Sequence, residues 1–317
     1  MSNFKFERWT PEKIQHFTFQ RAGETRIGDP VSRNQLETAS FVVLGISESV
    51  GPVANRGFSG AENAFNSFCQ AFLNTQAHDR FPATDIHFLG EIYQTNETDD
   101  PETAASWLTE LDTLVEETIT KFTRPHQLPI VIGGGHNNAL PIIRALAKRT
   151  QLHVINIDPH ADCREMSSRH SGNPFSNAIS EKSLKSYSVL GLHEAYNNQF
   201  IRDFLKANNC FHRYFEDYLS GEAHLYEDVF KQFEEHPNQK IGIEIDLDSI
   251  AMMPSSAFSP SGWRVDDIRS LLLILSGYRD RIAYLHLPEA APKIDYENKI
   301  VGKTLSYFVR DFLRRHG

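Results

Sequence analysis

The chain has 317 residues, 40% hydrophobic and 23% charged, ordinary proportions for a globular protein long enough to bury a large core without staples. Its formal charge of −9 and pI near 5.9 argue against a general nucleic-acid or anionic-membrane binder. Cys69, Cys163 and Cys210 are too sparse and odd a set for a disulfide framework, and no apolar run approaches the ~18 residues of a membrane span. The opening MSNFKFERWTPEK carries charges where a signal peptide needs an apolar core, so a cytoplasmic protein without membrane or nucleic-acid partners is expected.

Residues 1–38 are polar and read as an irregular surface segment. Residues 41–46 form a continuous apolar run, suited to a strand buried on both faces of a parallel sheet. A helical pattern over 61–74 and a short strand at 87–90 follow. Over 101–122 the segment PETAASWLTELDTLVEETITKF opens with Pro and acids and spaces its Leu and Val on one face, which predicts a helix. Strands are then expected at 128–132, 152–157, 188–191, 240–245 and 281–285, and helices at 138–149, 198–207, 224–235, 265–277 and 301–315. This alternation predicts a single α/β domain over 1–317, three layers with a mostly parallel sheet and helices on both faces.

Three groups of ligand-type residues follow expected strands, where open α/β sheets place their sites. They are Gly133-Gly134-Gly135-His136, Asp158-Pro159-His160-Ala161-Asp162 and Asp246-Leu247-Asp248. In extended backbone, residues i, i+2 and i+4 point to one side, so D-x-H-x-D converges two carboxylates and an imidazole, and D-x-D adds two carboxylates. Such crowding requires neutralisation, and a thiolate-free set of Asp and His suits Mn²⁺. Two cations about 3.5–4 Å apart would activate water and polarise an electrophilic carbon. Taken alone, GGGH also reads as a phosphate-cradling turn, though without the Lys-Ser/Thr of a P-loop.

At these residues the sequence resembles the arginase/agmatinase/formiminoglutamase (ureohydrolase) family. GGGHN, DPHAD and EIDLD are similar to its three metal motifs, and Asn55-Arg56-Gly57-Phe58-Ser59-Gly60-Ala61 to its early glycine-rich segment. Ser171-Gly172-Asn173-Pro174-Phe175 is similar to a segment of formiminoglutamases, and Glu289 matches the acid before the last helix. The resemblance implies an arginase-like fold and two Mn²⁺ per chain. One ion would be held by His136, Asp158, Asp162 and Asp246, the other by Asp158, His160, Asp246 and Asp248. Asp162 would also orient the attacking hydroxide, and Glu289 would pair with the substrate cation. Phe175 stands where arginases have His, and Ser171-Gly172 where agmatinases tend to have His-Gly, which leaves formiminoglutamase as the nearest subtype. The implied reaction is hydrolysis of a C–N bond in N-formimino-L-glutamate, giving L-glutamate and formamide, as in histidine degradation. Agmatinase, guanidino-acid hydrolase or arginase activity is the alternative, and a non-catalytic metal-binding relative a second. Homo-oligomeric assembly is expected.

Asn55, Ser171, Asn173, His193, Arg164 and Arg169 are expected to contact a small-molecule substrate, and Arg56 joins the two other arginines as a partner for its carboxylates. Glu244 is a candidate acceptor behind the ligands, equally well read as bland packing. Cys163, His153 and Met252-Met253 read as packing residues, and His170 as an exposed rim residue. The loop after Asp248, SIAMMPSSAFSP, departs from the family pattern.

Overall fold

A computed structural model describes residues 2–315. Among the described residues nine strands form one sheet: β1 Phe4–Arg8, β2 Phe41–Ser47, β3 Ile86–Gln94, β4 Leu128–Ile132, β5 Leu152–Ile157, β6 Ser186–Leu192, β7 Phe211–Tyr214, β8 Lys240–Ile245 and β9 Ile282–Leu287. Their spatial order is β1-β3-β2-β4-β9-β8-β5-β6-β7. Only β1 runs antiparallel, against β3.

Successive side chains of a strand face opposite ways, so a continuous apolar run must be covered twice. In β2, Val43 joins one buried cluster with Phe65, Phe68 and Phe72 of the helix Ala64–Phe72, while Val42 and Leu44 join the other with Leu108 and Leu111. Helices Leu225–Glu235, Val265–Leu275 and Asp295–Leu313 cover the first face; Pro101–Phe122, Ala139–Ala147, Pro174–Ser180 and Gln199–Ala207 cover the second. Helix Pro101–Phe122 has the bounds its sequence predicts. The Asp100 carboxylate accepts from the Thr103 amide (2.8 Å), Pro101 opens the first turn, and Leu108, Leu111, Val115 and Ile119 form its buried stripe. Burial of each is worth about 1.5–3 kcal/mol.

Residues 1–38 are not the irregular wrap expected. FKFER forms edge strand β1, and Trp9 is buried against Phe17, Phe65 and Phe88. The alternation of Phe with Lys and Glu is the pattern of a half-buried edge strand, whose outward charges discourage further pairing. Strand β7, made of half-buried residues at the other edge, lacks the apolar run that marks a central strand. The last helix begins at Asp295 instead of 301 because its polar first turns carry no apolar stripe.

The topology decides where chemistry can occur. The chain builds β2 to β4 in one half of the sheet, jumps to β5, continues outward to β7, and returns to insert β8 and β9 between the halves. The carboxyl ends of β2, β4, β9, β8 and β5 therefore line up as neighbours around the reversal of strand order, where such sheets open a crevice.

Candidate metal centre

Each proposed ligand follows one of these central strands. After β4, Gly133 and Gly134 take consecutive left-handed conformations (φ 85° and 69°), a tight turn that substituents at Cβ disfavour. The turn delivers His136, completely buried, over the sheet. Its shape is held by Glu48, the residue after β2, whose carboxylate accepts from the amides of Gly51 (3.1 Å) and Gly135 (2.8 Å) and from the side chains of Asn137 (3.3 Å) and Asn138 (2.6 Å). Burial raises the Glu48 carboxyl, and these donors oppose it.

His136 Nδ1 lies 2.9 Å from Asp246 Oδ2, 3.0 Å from Asp162 Oδ2 and 3.3 Å from Asp158 Oδ2, yet makes no well-directed hydrogen bond. One donor atom from each of these four residues lies within 4.8 Å of all the others. The second expected set is more open: His160 Nδ1 stands 3.5 Å from Asp158 Oδ1 and 3.8 Å from Asp248 Oδ2. The two oxygens of Asp158 thus face different histidines. They are fixed by the His160 amide (2.7 Å to Oδ1) and the Asn156 side chain (2.9 Å to Oδ2). The Asp248 amide holds Asp246 Oδ1 (2.6 Å), and the Ala257 amide holds Asp248 Oδ1 (3.1 Å).

Electrostatics say what this cluster lacks. Burial raises the carboxyls of Asp162, Asp246 and Asp248, with Asp158 adding to the first and Asp248 to the second. Asp158 is held low against its burial by His136 and His160. His160 is pushed up to about 9 by Asp158, against its own burial. Four buried carboxylates with two imidazoles need more positive charge than the side chains supply. A buried imidazole nitrogen without a bond and aimed among carboxylate oxygens is the donor arrangement that divalent cations take. The residues fit such ions.

A cavity of about 160 Å³ opens above the cluster, lined by His160, Asp162, Asp246, Asp248 and Glu289 with Asn55, Arg56, Arg164, Ser171 and Ser256. Glu289 follows β9 by two residues; its carboxylate accepts from the His136 amide (2.5 Å) and from the Ser256 hydroxyl. Burial, then Asp248, pushes its carboxyl up to about 8. Arg56, Asp162 and Glu289 all have left-handed backbone (φ 63°, 47° and 69°). Non-glycine residues hold that conformation at a cost of order 1 kcal/mol or more each, and such strain concentrates at functional sites. The loop after Asp248, atypical in sequence, supplies the Ser256 hydroxyl on Glu289 and the Ala257 amide on Asp248.

Four of the residues expected near the substrate line this cavity: Asn55, Arg56, Arg164 and Ser171, with Asn55 Nδ2 donating to Ser171 Oγ (3.3 Å). Arg169, Asn173 and His193 do not. The Arg169 guanidinium donates to Asp112 (3.0 and 3.1 Å), to Asn173 Oδ1 (3.0 Å) and to the Asn137 carbonyl (3.0 Å). Asn173 also donates to the carbonyls of Glu165 (3.0 Å) and Ser168 (2.6 Å), and His193 is stacked between Tyr196 and Phe215. Arg169 and Asn173 are used in holding the loop after β5, and the His193 ring is used in packing beyond β6. Asp112→Ala would leave the Arg169 charge without its carboxylate, and the melting transition should report a loss of about 3–5 kcal/mol. Cys163 is buried in the second-face cluster, as expected of a packing residue, and Met253 is buried while Met252 is exposed. Phe175 packs edge-on against His136 (5.2 Å between ring centres) and stacks on Tyr187, so it offers no proton carrier there.

Glu48, Ser256, Tyr284 and His286 escape a motif search because each holds a residue from a distant stretch of chain: Glu48 the Gly135 turn, Ser256 the carboxylate of Glu289, and Tyr284 and His286 the carboxylate of Glu244. A period of two over Tyr284 and His286 in β9 was the available signal, since alternate residues of a strand share a sheet face.

An α/β sheet whose central strand ends converge acidic and imidazole donors on one cavity defines a protein of the carboxylate-rich metal-centre class. The chain belongs to the Arginase family, whose model matches residues 39–313. It is 26% identical to the formimidoylglutamase of Staphylococcus aureus over 315 residues, covering 96% of this chain and 94% of the relative. Among solved structures, the formiminoglutamase of Trypanosoma cruzi with Mn²⁺ matches with a TM-score of 0.69 at 21% identity, over 92% of this chain and all (100%) of that one. The formimidoylglutamase of Bacillus subtilis matches with a TM-score of 0.75 at 17% identity, over 93% and 92%. The structural likenesses establish the arginase-like fold expected from the motifs.

Proposed function

We propose that this protein is a binuclear-manganese hydrolase that cleaves a C–N bond of a small linear amidine, N-formimino-L-glutamate, to L-glutamate and formamide. One observation carries the choice of substrate. The cavity joins an acidic floor to a rim bearing Arg56 and Arg164, whose guanidinium groups make no hydrogen bond or ion pair with any described residue. Such a cavity suits a molecule cationic at its reactive end and anionic at the other. Agmatine, cationic at both ends, would meet the rim with like charge. The formimidoylglutamases among its relatives in sequence and structure point the same way.

In this reading His136, Asp158, Asp162 and Asp246 hold one cation, and Asp158, His160, Asp246 and Asp248 the other. When bound, such a pair supplies Lewis acidity and lowers the pKa of water. Glu289, fixed by the His136 amide and Ser256, receives the amidinium of the substrate. Asp162, at the cavity wall, orients the attacking water and takes its proton. A C–O bond forms at the formimino carbon, the bond from that carbon to the glutamate nitrogen breaks, and the departing amine leaves with a proton. Asn55 and Ser171 complete the polar wall, and Arg56 and Arg164 receive the two carboxylates.

No described helix is long and apolar enough to cross a membrane. The three cysteines are buried and unpaired, which supports a reducing cytoplasmic setting. Histidine degradation and homo-oligomeric assembly complete the reading, the latter checked by light scattering. The decisive test is reconstitution with Mn²⁺ and assay on a panel of formiminoglutamate, agmatine, arginine and guanidino acids. About two Mn²⁺ per chain and formamide release from formiminoglutamate are expected, with activity lost on chelation. Fewer than about one ion per chain, or urea release from agmatine alone, would refute the proposal.

A further inference from the structure

Beneath the row of ligands lies a second row of polar side chains, wholly buried in the sheet. Strand pairing sets Asn156 of β5 beside Glu244 of β8, and Glu244 beside His286 of β9. All three are inaccessible to solvent, on the sheet face covered by helix Ala139–Ala147. Glu244 Oε1 accepts from the Tyr284 hydroxyl (2.7 Å), and Oε2 accepts from His286 Nδ1 (2.6 Å). Oε2 also lies 3.5 Å from Nε2 of His136, the ring nitrogen turned away from the aspartates.

An imidazole that offers Nδ1 to a cation must carry its proton on Nε2. In His136 that N–H is buried, so it needs an acceptor, and an unmet buried donor costs about 1–3 kcal/mol. Asp158, Asp162 and Asp246 make their nearest approach to His136 at Nδ1, and Glu244 makes its nearest approach at Nε2. Tyr284 and His286 prevent the Glu244 carboxylate from turning elsewhere.

We infer that Glu244, braced by Tyr284 and His286, is a positioning residue that fixes the tautomer and ring orientation of His136 for the cation on that side of the centre. The inference rests on the two-cation reading above and adds an asymmetry to it. Glu244 serves the ion held by His136 and has no contact with His160, so its loss should unbalance the two sites.

The test is calorimetric titration of the metal-free full chain with Mn²⁺, with metal per chain measured after gel filtration. The near-isosteric Glu244→Gln should weaken one of the two binding events about 10–100-fold and leave the other within a few fold. His286→Gln, which removes the brace and keeps the carboxylate, should weaken the same event by a smaller factor and serves as the readout if Glu244→Gln does not fold. Unchanged affinities in a folded variant, or equal weakening of both events, would overturn the positioning role. A wild-type protein that takes up no Mn²⁺ would instead refute the metal-centre reading on which it rests.

Discussion

Asp158→Asn is expected to give a folded protein that has lost hydrolysis by more than about 100-fold, beyond what changes to the supporting residues of a metal site cost. Asp158 is fully buried, and its two oxygens face the two histidines, Oδ2 at 3.3 Å from His136 Nδ1 and Oδ1 at 3.5 Å from His160 Nδ1. An amide of the same shape offers one neutral oxygen where two charged ones would serve both ions of the proposed centre. Asp246→Asn should behave alike, since Oδ2 of Asp246 faces His136 at 2.9 Å and its other oxygen is held by the Asp248 amide. Metal analysis and melting curves separate the causes. Asp246→Asn should retain the metal-free melting temperature, because one charge leaves a crowded acidic cluster, whereas Asp158→Asn also loses its pairing with His136 and His160 and should lower it; both should gain less stability from added Mn²⁺ than the wild type. Full activity with two bound ions in Asp158→Asn would remove it from the proposed ligands.

The second large effect concerns the rim. Arg56→Ala and Arg164→Ala should each raise KM for formiminoglutamate about 10- to 150-fold, the equivalent of about 1.5–3 kcal/mol for a hydrogen bond to a charged group. Metal content should not change, because neither side chain touches a ligand. A group that binds ground state and transition state alike alters KM more than kcat, so a fall confined to kcat would place these arginines elsewhere in the cycle. Arg169→Ala is the contrast: its donors are bound to Asp112, Asn173 and Asn137, so its loss should lower thermal stability. If all three variants keep the wild-type KM, the substrate's carboxylates are received by other groups and the assignment of substrate loses its main support.

The sequence by itself determined the candidate ligands and the class of fold. His136, Asp158, His160, Asp162, Asp246 and Asp248 stand in short motifs directly after strands, which marks them as donors at strand ends, although the extended backbone expected there is replaced by turns, with Asp162 left-handed (φ 47°) and Asp248 in a 3₁₀ turn. Continuous apolar runs such as 41–46 and 128–132 likewise required cover on both faces, hence a three-layer sheet. These are local properties, set within a few residues, and they are legible in one dimension. Tertiary structure decided which strand ends are neighbours, because β8 and β9, last in the chain, insert at the centre of the sheet. It sorted three sequence-equivalent arginines into two that face the cavity and one consumed by Asp112. It also gave roles to Glu48, 87 residues from the Gly135 amide it accepts, to Glu289, 153 from His136, and to His286, 42 from Glu244. A hydrogen bond is made within about 3 Å whatever the length of chain between its partners, so only packing of the whole sheet could select them.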